Sequence, residues 1–327
     1  MRTIRSVSSP RSGQLKIIFI LLGVNILIMA VLTYLSPTFM TYGNISAVLT
    51  RMSELGMLAI AETVVLISGG FDISIGAVMA LSGAVLGTLH VVGVPFSLAI
   101  AIALLAGVAV GFINAVLVVN LKLTPFIVTL ATMSIVRSVV YALLKGHVLT
   151  ELPEKFLNLY YVYVFKLPLL FVILVATAVI MAVLLKRTIL GRRIYAMGGN
   201  ERTAYISGVF VKRIRYLVYC LSGFICALAG LLFTVRIRAV IPDAGLNAPL
   251  EVITAVLIGG TTIYGGKGSI LGSLLGIFAM YLLLNGFSLL GLNPFWEVII
   301  LGIILIFVIG QEGIVRSFRA SLSRRRL

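Results

Sequence analysis

Charge is scarce in this sequence, and negative charge is the scarcest. Of the 327 residues only 11% are charged, with 10 aspartates and glutamates against 26 lysines and arginines. A soluble domain carries roughly a quarter charged residues, whereas 61% of this chain is hydrophobic and its mean hydropathy is +1.17. Polar side chains cannot cover that much apolar surface, so the composition excludes a water-soluble globular protein.

Histidine and cysteine, which supply most metal ligands and many nucleophiles, occur only twice each. His90 and His147 both fall in predicted external regions, His90 at the outer end of a predicted span. Cys220 and Cys226 are six residues apart in one apolar run and so lie on different helix faces. No ligand cluster and no nucleophile–base pair stands out. We therefore predict that the protein is not an enzyme, with no catalytic residue, no metal and no cofactor bound by this chain.

Continuous apolar runs of about twenty residues, the length of a membrane span, are abundant, as in residues 16–35. In hydrocarbon only helices and closed barrels satisfy their backbone hydrogen bonds, and barrel strands would alternate in hydropathy. The predicted fold class is therefore all-α, a polytopic membrane protein of about ten transmembrane helices. The predicted spans are 16–35, 53–68, 75–92, from after Pro95 to 119, 126–144, 167–185, 216–235, 250–263, 269–290 and 296–311.

Two of these spans, 53–68 and 250–263, are short and end in glycines. Each either crosses the membrane fully or is a broken or re-entrant helix, which is tolerated only where protein or water covers the backbone. Broken helices often mark a substrate route. The similar endings LISGG (66–70) and LIGG (257–260) fit an internal repeat and a chance similarity about equally well.

The positive charge is concentrated in three short segments that flank apolar spans. Four lysines and arginines lie in residues 1–16, eight in 186–215 and five after residue 312. This distribution follows the positive-inside rule and argues against nucleic-acid binding. Even numbers of predicted spans separate the clusters, so both termini are predicted to be cytoplasmic. The predicted organisation is a cytoplasmic tail (1–15), a transmembrane domain (16–311) with a cytoplasmic loop at about 186–215, and a basic cytoplasmic tail (312–327).

The cytoplasmic loop contains a short predicted helix. Asn200 is a favourable N-cap, ERTAYIS (201–207) supplies about two helical turns, and Gly208 is a natural stop. A short exposed helix between two basic runs suits docking into another protein. From the residues alone, an ordinary loop anchored by arginines is nevertheless the simpler interpretation.

Few charged residues fall inside the predicted spans, and such residues usually face the interior of the bundle. Glu62 is predicted either to line a substrate pathway or to pair with Arg137 or a polar neighbour. Asp72 is predicted either to cap the helix that follows it or to contact substrate. Glu251 and Glu297 stand near predicted helix starts, where the charge of Glu297 suits a cap. The candidate pathway residues are Glu62, Asp72, Thr129 and Asn285.

The segment TTIYGGKGS (261–269) is a near-match to a phosphate-binding loop. That motif needs glycine at position 261 and serine or threonine at 268, where the sequence has Thr261 and Gly268. Both requirements fail, so no nucleotide site is predicted. If ATP drives this protein, another chain hydrolyses it.

Several strings, in order along nearly the whole chain, resemble the permease subunits of bacterial sugar ABC importers. The resemblance is to the ribose, galactose and xylose group, which includes autoinducer-2 and rhamnose importers. The matching strings are SGGFDISIGAVMALSG (68–83), TPFIVTLAT (124–132), GRRIYAMGGNERTAYISGVFV (191–211), ITAVLIGGTTIYGGKGSILGSLLG (253–276), LNGFSLLG (284–291) and the WEVIILGIIL that follows. The sequence departs from the family pattern at Glu62, where an apolar residue is common, and at Glu251, where aspartate is common.

The resemblance implies a permease of about ten spans in the bacterial inner membrane that moves a monosaccharide or sugar-like molecule inward by alternating access. Besides membrane lipid, the implied partners are a second permease chain, identical or homologous, a cytoplasmic ABC ATPase that binds ATP and magnesium, and a periplasmic or surface sugar-binding protein. The loop at 199–208 would be the coupling helix that sits in a groove of the ATPase. The residues given this role are Asn200, Glu201, Arg202, Ala204, Tyr205, Ser207 and Gly208.

The alternative function is an ion-coupled secondary transporter or a channel. That function needs buried charges arranged for ion or proton movement, and the scattered charges of the predicted spans supply little. Neither the sugar nor the identity of the second permease chain follows from the sequence.

Overall fold

The computed structural model describes residues 10–293 and, beyond them, positions 296, 299, 302, 303, 306 and 310. The described chain is helical apart from one short hairpin, which confirms the predicted all-α polytopic class. The helices are α1 (Pro10–Leu35), α2 (Tyr42–Ile67), α3 (Ile75–Val91), α4 (Phe96–Val119), α5 (Pro125–Leu144), α6 (Glu154–Leu157), α7 (Leu169–Arg187), α8 (Ile189–Gly199), α9 (Glu201–Ile206), α10 (Val211–Ile237), α11 (Ala248–Ile258) and α12 (Ile270–Leu289). A 3-10 turn (Asn158–Tyr161) follows α6, and strands β1 (Tyr163–Val164) and β2 (Leu167–Pro168) form the hairpin.

Within the described residues, six helices are long and apolar enough to cross a membrane, namely α1, α4, α5, α7, α10 and α12. The described positions between 296 and 310 are all helical, in agreement with the last predicted span. Residues 10–15, predicted as part of a tail, belong to α1. The predicted cap at Glu297, the tail at 312–327 and residues 1–9 lie outside the described residues.

Helix α2 differs most from its prediction. The predicted span begins at about residue 53, whereas the helix begins at Tyr42 and runs for 26 residues. At about 1.5 Å per residue this helix exceeds the hydrocarbon thickness of about 30 Å, so the prediction of a short second span is wrong. Arg51 and Glu54 lower the local hydropathy, but every residue from 52 to 67 is buried. Protein rather than lipid therefore covers this half of the helix.

Two crossings are divided between a helix and a non-helical segment. Helices α3 and α11 have only 17 and 11 residues, and each follows a non-helical stretch, 68–74 and 238–247, which we call the broken segments. The starts of the two helices meet: a Cβ atom on Gly76 would lie 2.2 Å from Gly245 O and 3.2 Å from Pro249 Cδ. Of the two possibilities left open for the eighth span, the structure shows a short helix preceded by a non-helical stretch, while the other non-helical stretch lies after α2 rather than within it.

The start of α1, helix α8 and the loop before α12 lie together at one end of the bundle, which we call the basic end. Gln14 Nε2 and Tyr195 Oη both donate to Gly268 O, at 3.0 and 2.8 Å. Burial raises the pKa of the Tyr195 hydroxyl, so it remains a donor at neutral pH. The basic segment 186–215 is thus at the same end of the bundle as the start of α1. The even number of predicted spans between the two requires this arrangement. The hairpin and the start of α2 lie at the opposite end.

Helix α10 is central and packs against α2, α3 and α4. Glycines allow its close approach to α4: a Cβ atom on Gly107 would lie 2.4 Å from Gly223 O, and one on Gly111 would lie 2.2 Å from Tyr219 O. Without a hydrophobic driving force between helices in lipid, small residues that admit close backbone contact stabilise such pairs. These glycines therefore serve helix packing.

Candidate functional site

The short helix α9 (Glu201–Ile206) projects at the basic end between α8 and α10. Asn200 is its N-cap, and the side-chain oxygen of Asn200 accepts a hydrogen bond from Thr203 N at 2.9 Å. Ser207 Oγ donates to Thr203 O at 2.9 Å, and Gly208, with φ of +81°, turns the chain toward α10. Only glycine adopts this conformation without strain. The predicted helix, with its cap and its stop, is confirmed.

One face of α9 is held against the bundle and the other is exposed. Ala204 is only 4% exposed, and Glu201 Oε2 accepts from Arg215 Nη2 of α10 at 2.8 Å. Tyr205 and Ile206, by contrast, are 72% and 76% exposed. These two exposed side chains are available for contact with another protein.

A surface cavity of about 740 Å³ adjoins the exposed face of α9. Its walls combine the aromatic rings of Tyr205 and Phe210 with the cationic side chains of Arg202, Lys212 and Arg213. Such a lining can receive apolar and acidic side chains of a partner, because both kinds of group find complementary contacts there.

The end of α8 is joined to the end of α2 by direct backbone contact. A Cβ atom on Gly198 would lie 1.8 Å from Ile67 O and 2.7 Å from Gly266 N, and Gly266 N itself donates to Ile67 O at 2.9 Å. We call Gly198, Ile67 and Gly266 the backbone joint. A displacement of α8 must displace the end of α2 and the loop before α12, because no flexible side chain lies between them. Sequence reasoning missed this joint, since a glycine pair at 198–199 resembles any turn.

Three of the four candidate pathway residues lie around the broken segment before α3. Asp72 is 2% exposed, and its Oδ1 accepts from Ser74 N at 2.9 Å and from Ser74 Oγ at 2.5 Å. Its own backbone N donates to Glu62 Oε1 at 3.4 Å, and Thr129 Oγ1 donates to Phe71 O at 3.4 Å. Asp72 therefore stabilises the turn that precedes α3, whose N-cap residue is Ser74. Contact of these residues with substrate stays a prediction.

Helices α4, α5 and α10 complete the hydrogen bonding of this broken segment. Ser222 Oγ of α10 donates to Asp72 Oδ2 at 3.2 Å, and Asn114 Nδ2 of α4 donates to Ser74 Oγ at 3.0 Å. Thr132 Oγ1 of α5 donates in turn to Asn114 Oδ1 at 2.7 Å. Non-helical backbone can lie at membrane depth here because protein covers it and supplies these partners.

The fourth pathway candidate, Asn285, and Arg137 lie away from this group, and the pathway role of Asn285 stays a prediction. Asn285 lies at the opposite end, where it exchanges hydrogen bonds of 2.9 and 2.8 Å with Asn44. Arg137 donates from Nη1 to two carbonyls of the broken segment 238–247, at 2.7 and 2.8 Å. The predicted pair of Glu62 with Arg137 is therefore wrong, and Arg137 holds the second broken segment instead.

A polar cavity of about 220 Å³, bordered by α2, α3, α10, α11 and α12, was not predicted. Arg236 Nη2 lies 2.6 Å from Glu54 Oε1, and Arg236 Nε donates to Glu54 Oε2 at 2.8 Å. The guanidinium carbon of Arg51 lies 5.7 Å from the ring centroid of Tyr281. Arg51 and Glu54 were a usable signal, because they interrupt an apolar run and α2 proves to continue through them.

Comparison with known proteins assigns the chain. Residues 44–309 match the family described as branched-chain amino acid transport system, permease component. The chain is 37% identical to the ribose import permease protein RbsC of Bacillus subtilis, over 88% of this chain and 90% of that protein. It is 33% identical to RbsC of Escherichia coli (87% and 90% covered) and 32% identical to the D-allose transport system permease protein AlsC of the same species (88% and 89%). The chain belongs to the sugar-import permeases of ABC transporters. No solved structure matches it.

This permease is accordingly a multi-pass protein of the bacterial inner membrane, and ATP is hydrolysed on a partner subunit. Permeases of this kind act within ABC complexes that also contain a binding protein. In the part of the chain that the structure describes, no group of three or more His, Cys, Asp or Glu side chains is placed to hold a metal ion.

Proposed function

We propose that this permease carries a monosaccharide or sugar-like small molecule into the cell by alternating access, driven by ATP hydrolysed on a separate subunit. The relatives named for ribose and D-allose are 32% to 37% identical to it, which supports the class of substrate and leaves the individual sugar open. The observation that carries the proposal is α9, whose exposed face is linked through the backbone joint to the broken segment before α3.

The basic end faces the cytoplasm in this proposal. The lysines and arginines of residues 186–215 lie there, together with the start of α1, and such residues are retained on the cytoplasmic side during insertion. Both termini are then cytoplasmic, since the last span returns the chain to the side where it began.

Helix α9 is the coupling helix that docks into the ATPase. Arg202 and Tyr205 make the contact, because their side chains are exposed beside the large surface cavity. The other residues of the segment set its shape: they cap the helix, tether it or end it, and they are Asn200, Glu201, Ala204, Ser207 and Gly208. ATP and magnesium bind to the ATPase, which offers apolar and acidic groups to this surface.

Two further partners complete the importer. A second permease chain, either a copy or a homologue, pairs with this one in the membrane. A periplasmic or surface sugar-binding protein docks at the opposite end, where the hairpin and the start of α2 lie. The relatives are permeases of the same length class, which supports an assembly of this kind.

The structure suggests how motion of α9 reaches the membrane interior. Helix α9 follows α8 after the single residue Asn200, and the backbone joint links α8 to the end of α2, where the broken segment 68–74 begins. Hydrogen bonds to α4, α5 and α10 hold that segment, so it moves with these helices as a unit. The start of α3 then shifts against Gly245, at the point where the starts of α3 and α11 meet.

Uptake in a reconstituted system tests the proposal. The complete importer is placed in proteoliposomes, and accumulation of D-ribose and of D-allose is measured with and without ATP. We expect uptake of at least one sugar only when ATP and the ATPase are present. Uptake that follows an imposed proton or sodium gradient without the ATPase would establish the ion-coupled alternative.

Chemical labelling tests the orientation. In a Cys220→Ser, Cys226→Ser background, a membrane-impermeant maleimide is applied to cells and to inverted vesicles of variants with one new cysteine. Tyr205→Cys should react only in inverted vesicles, because α9 is exposed at the basic end. Phe165→Cys in the hairpin turn, where the native side chain is 96% exposed, is the matched control and should react only in cells. Reaction of Tyr205→Cys in intact cells would contradict the coupling assignment.

A further inference from the structure

The polar cavity lies part-way through the bundle, where the starts of α3 and α11 meet. Glu54 is near the middle of the 26-residue helix α2, and Glu251 is in the first turn of α11. Met79 of α3 lines the cavity and also lies against Gly245 of the second broken segment. In membrane transporters, the free ends of broken helices near mid-membrane are where substrates are contacted.

Charged side chains of both signs line this cavity. Arg236 pairs with Glu54 through two contacts, from Nη2 to Oε1 and from Nε to Oε2, and Glu54 is only 3% exposed. Arg51 and Glu251 are close enough to act electrostatically on Glu54. The charges of these four groups balance, and Asp243, the fifth charged residue of the lining, adds one negative charge. A buried ion pair is a poor source of stability, and ionisable groups within a membrane generally mark a pathway.

The rim of the cavity preserves this balance. Asp243 accepts a hydrogen bond from Tyr141, and Arg137 lies near enough to offset its charge. Asn247 is exposed at the start of α11, and its side chain caps no N–H group of that helix. The site thus carries many polar groups without a net charge, which suits a neutral polyhydroxylated ligand better than an ion.

We propose that the polar cavity is an intramembrane contact site for the hydroxyl groups of the sugar as it passes through this permease, an inference that rests on the proposed function. Carboxylates accept and guanidinium groups donate paired hydrogen bonds, the geometry that neighbouring hydroxyls require. The rings of Tyr281 and Phe233 add apolar faces, with the guanidinium groups of Arg51 and Arg236 5.7 and 5.3 Å from their centroids.

Size limits the ligand. The volume of about 220 Å³ holds about seven water molecules at about 30 Å³ each. This space is comparable in size with a single sugar ring. A site of this kind need not bind tightly: it replaces the hydration of the hydroxyls during passage, so that the sugar crosses without losing its hydrogen bonds.

The test removes both charges of the buried pair together. Glu54→Gln combined with Arg236→Gln leaves no unpaired charge, so the fold should persist, and sugar moved per ATP should fall by about tenfold or more. Tyr281→Phe removes one hydroxyl and should lower the same ratio by about threefold to tenfold. Tyr34→Phe, at a side chain that is 90% exposed on α1, is the matched control and should change nothing.

Uptake of D-ribose and D-allose, ATP hydrolysis and thermal unfolding are measured on the complete importer in proteoliposomes. A lower ratio of sugar to ATP, with unchanged ATPase activity and unfolding temperature, supports the contact site. An unchanged ratio, or a loss that follows only a lower unfolding temperature, overturns it and leaves the ion pair with a structural role. If the native importer moves neither sugar, the proposed function fails and the contact site with it. If the native importer and the variants all transport sugar normally, the contact site alone is overturned.

Discussion

Replacing Gly198 by alanine should abolish ATP-driven uptake, whereas the same change at the adjacent Gly199 should leave it nearly native. A Cβ atom on Gly198 would lie 1.8 Å from Ile67 O and 2.7 Å from Gly266 N, whereas one on Gly199 has no neighbour within 4 Å. The added methyl group must therefore separate α8 from the end of α2. Overpacking of a closed contact costs about 1–3 kcal/mol, and here the strain falls on the backbone joint between α8 and α2.

The measurement is sugar uptake together with ATP hydrolysis in proteoliposomes. We expect Gly198→Ala to lower uptake by at least about tenfold while the ATPase remains bound, because α9 and its exposed side chains are unchanged. Gly199→Ala controls for the general effect of alanine on helix α8. If both variants transport equally well, motion does not pass through the backbone joint.

Arg202→Glu combined with Tyr205→Ala should detach the ATPase while the permease still inserts and folds. The side chains of both residues are exposed, so their replacement leaves no cavity and no unpaired group in the bundle. Loss of an aromatic anchor at an interface costs about 2 kcal/mol or more. Reversal of a facing charge adds to that cost, so affinity for the ATPase should fall by about a hundredfold.

Co-purification of the ATPase with the permease, followed by titration of ATPase onto permease in nanodiscs, measures this loss. The matched control makes the same chemical changes at the opposite end, Lys145→Glu with Tyr34→Ala, and should retain full affinity. Normal association of the ATPase with the Arg202→Glu, Tyr205→Ala variant would refute the assignment of α9 as the coupling helix.

Local chemistry made α9 predictable. Asn200 caps through a hydrogen bond to Thr203 N, and Gly208 stops the helix through its positive φ, so both signals act within a few residues. The lengths of the apolar runs likewise predicted the fold class. The even number of predicted spans between the basic clusters predicted that the start of α1 and the basic segment 186–215 lie at the same end of the bundle. These features depend on sequence that is close together or on simple counting of spans.

Long-range pairing defeated prediction elsewhere. Glu54 stands at the start of the predicted second span, where its charge gave no sign of a buried pair, and its partner Arg236 is 182 positions away. Arg137 was a candidate partner for Glu62, but it bonds to carbonyls of the broken segment 238–247. Hydropathy measures how readily a residue passes from water into lipid, whereas these charged groups are surrounded by protein. No local pattern reveals which protein groups will surround them.

The meeting of α3 and α11 has a consequence for biogenesis. The start of α3 is covered by Gly245 and Pro249, which lie more than half the chain later in synthesis. A ribosome that has delivered α3 to the bilayer has therefore delivered an unfinished crossing, with polar backbone that nothing yet shields. Assembly must wait until α11 enters and closes against it. A nascent chain that stalls earlier would present that gap to membrane quality-control proteases, so maturation is governed by the last third of translation.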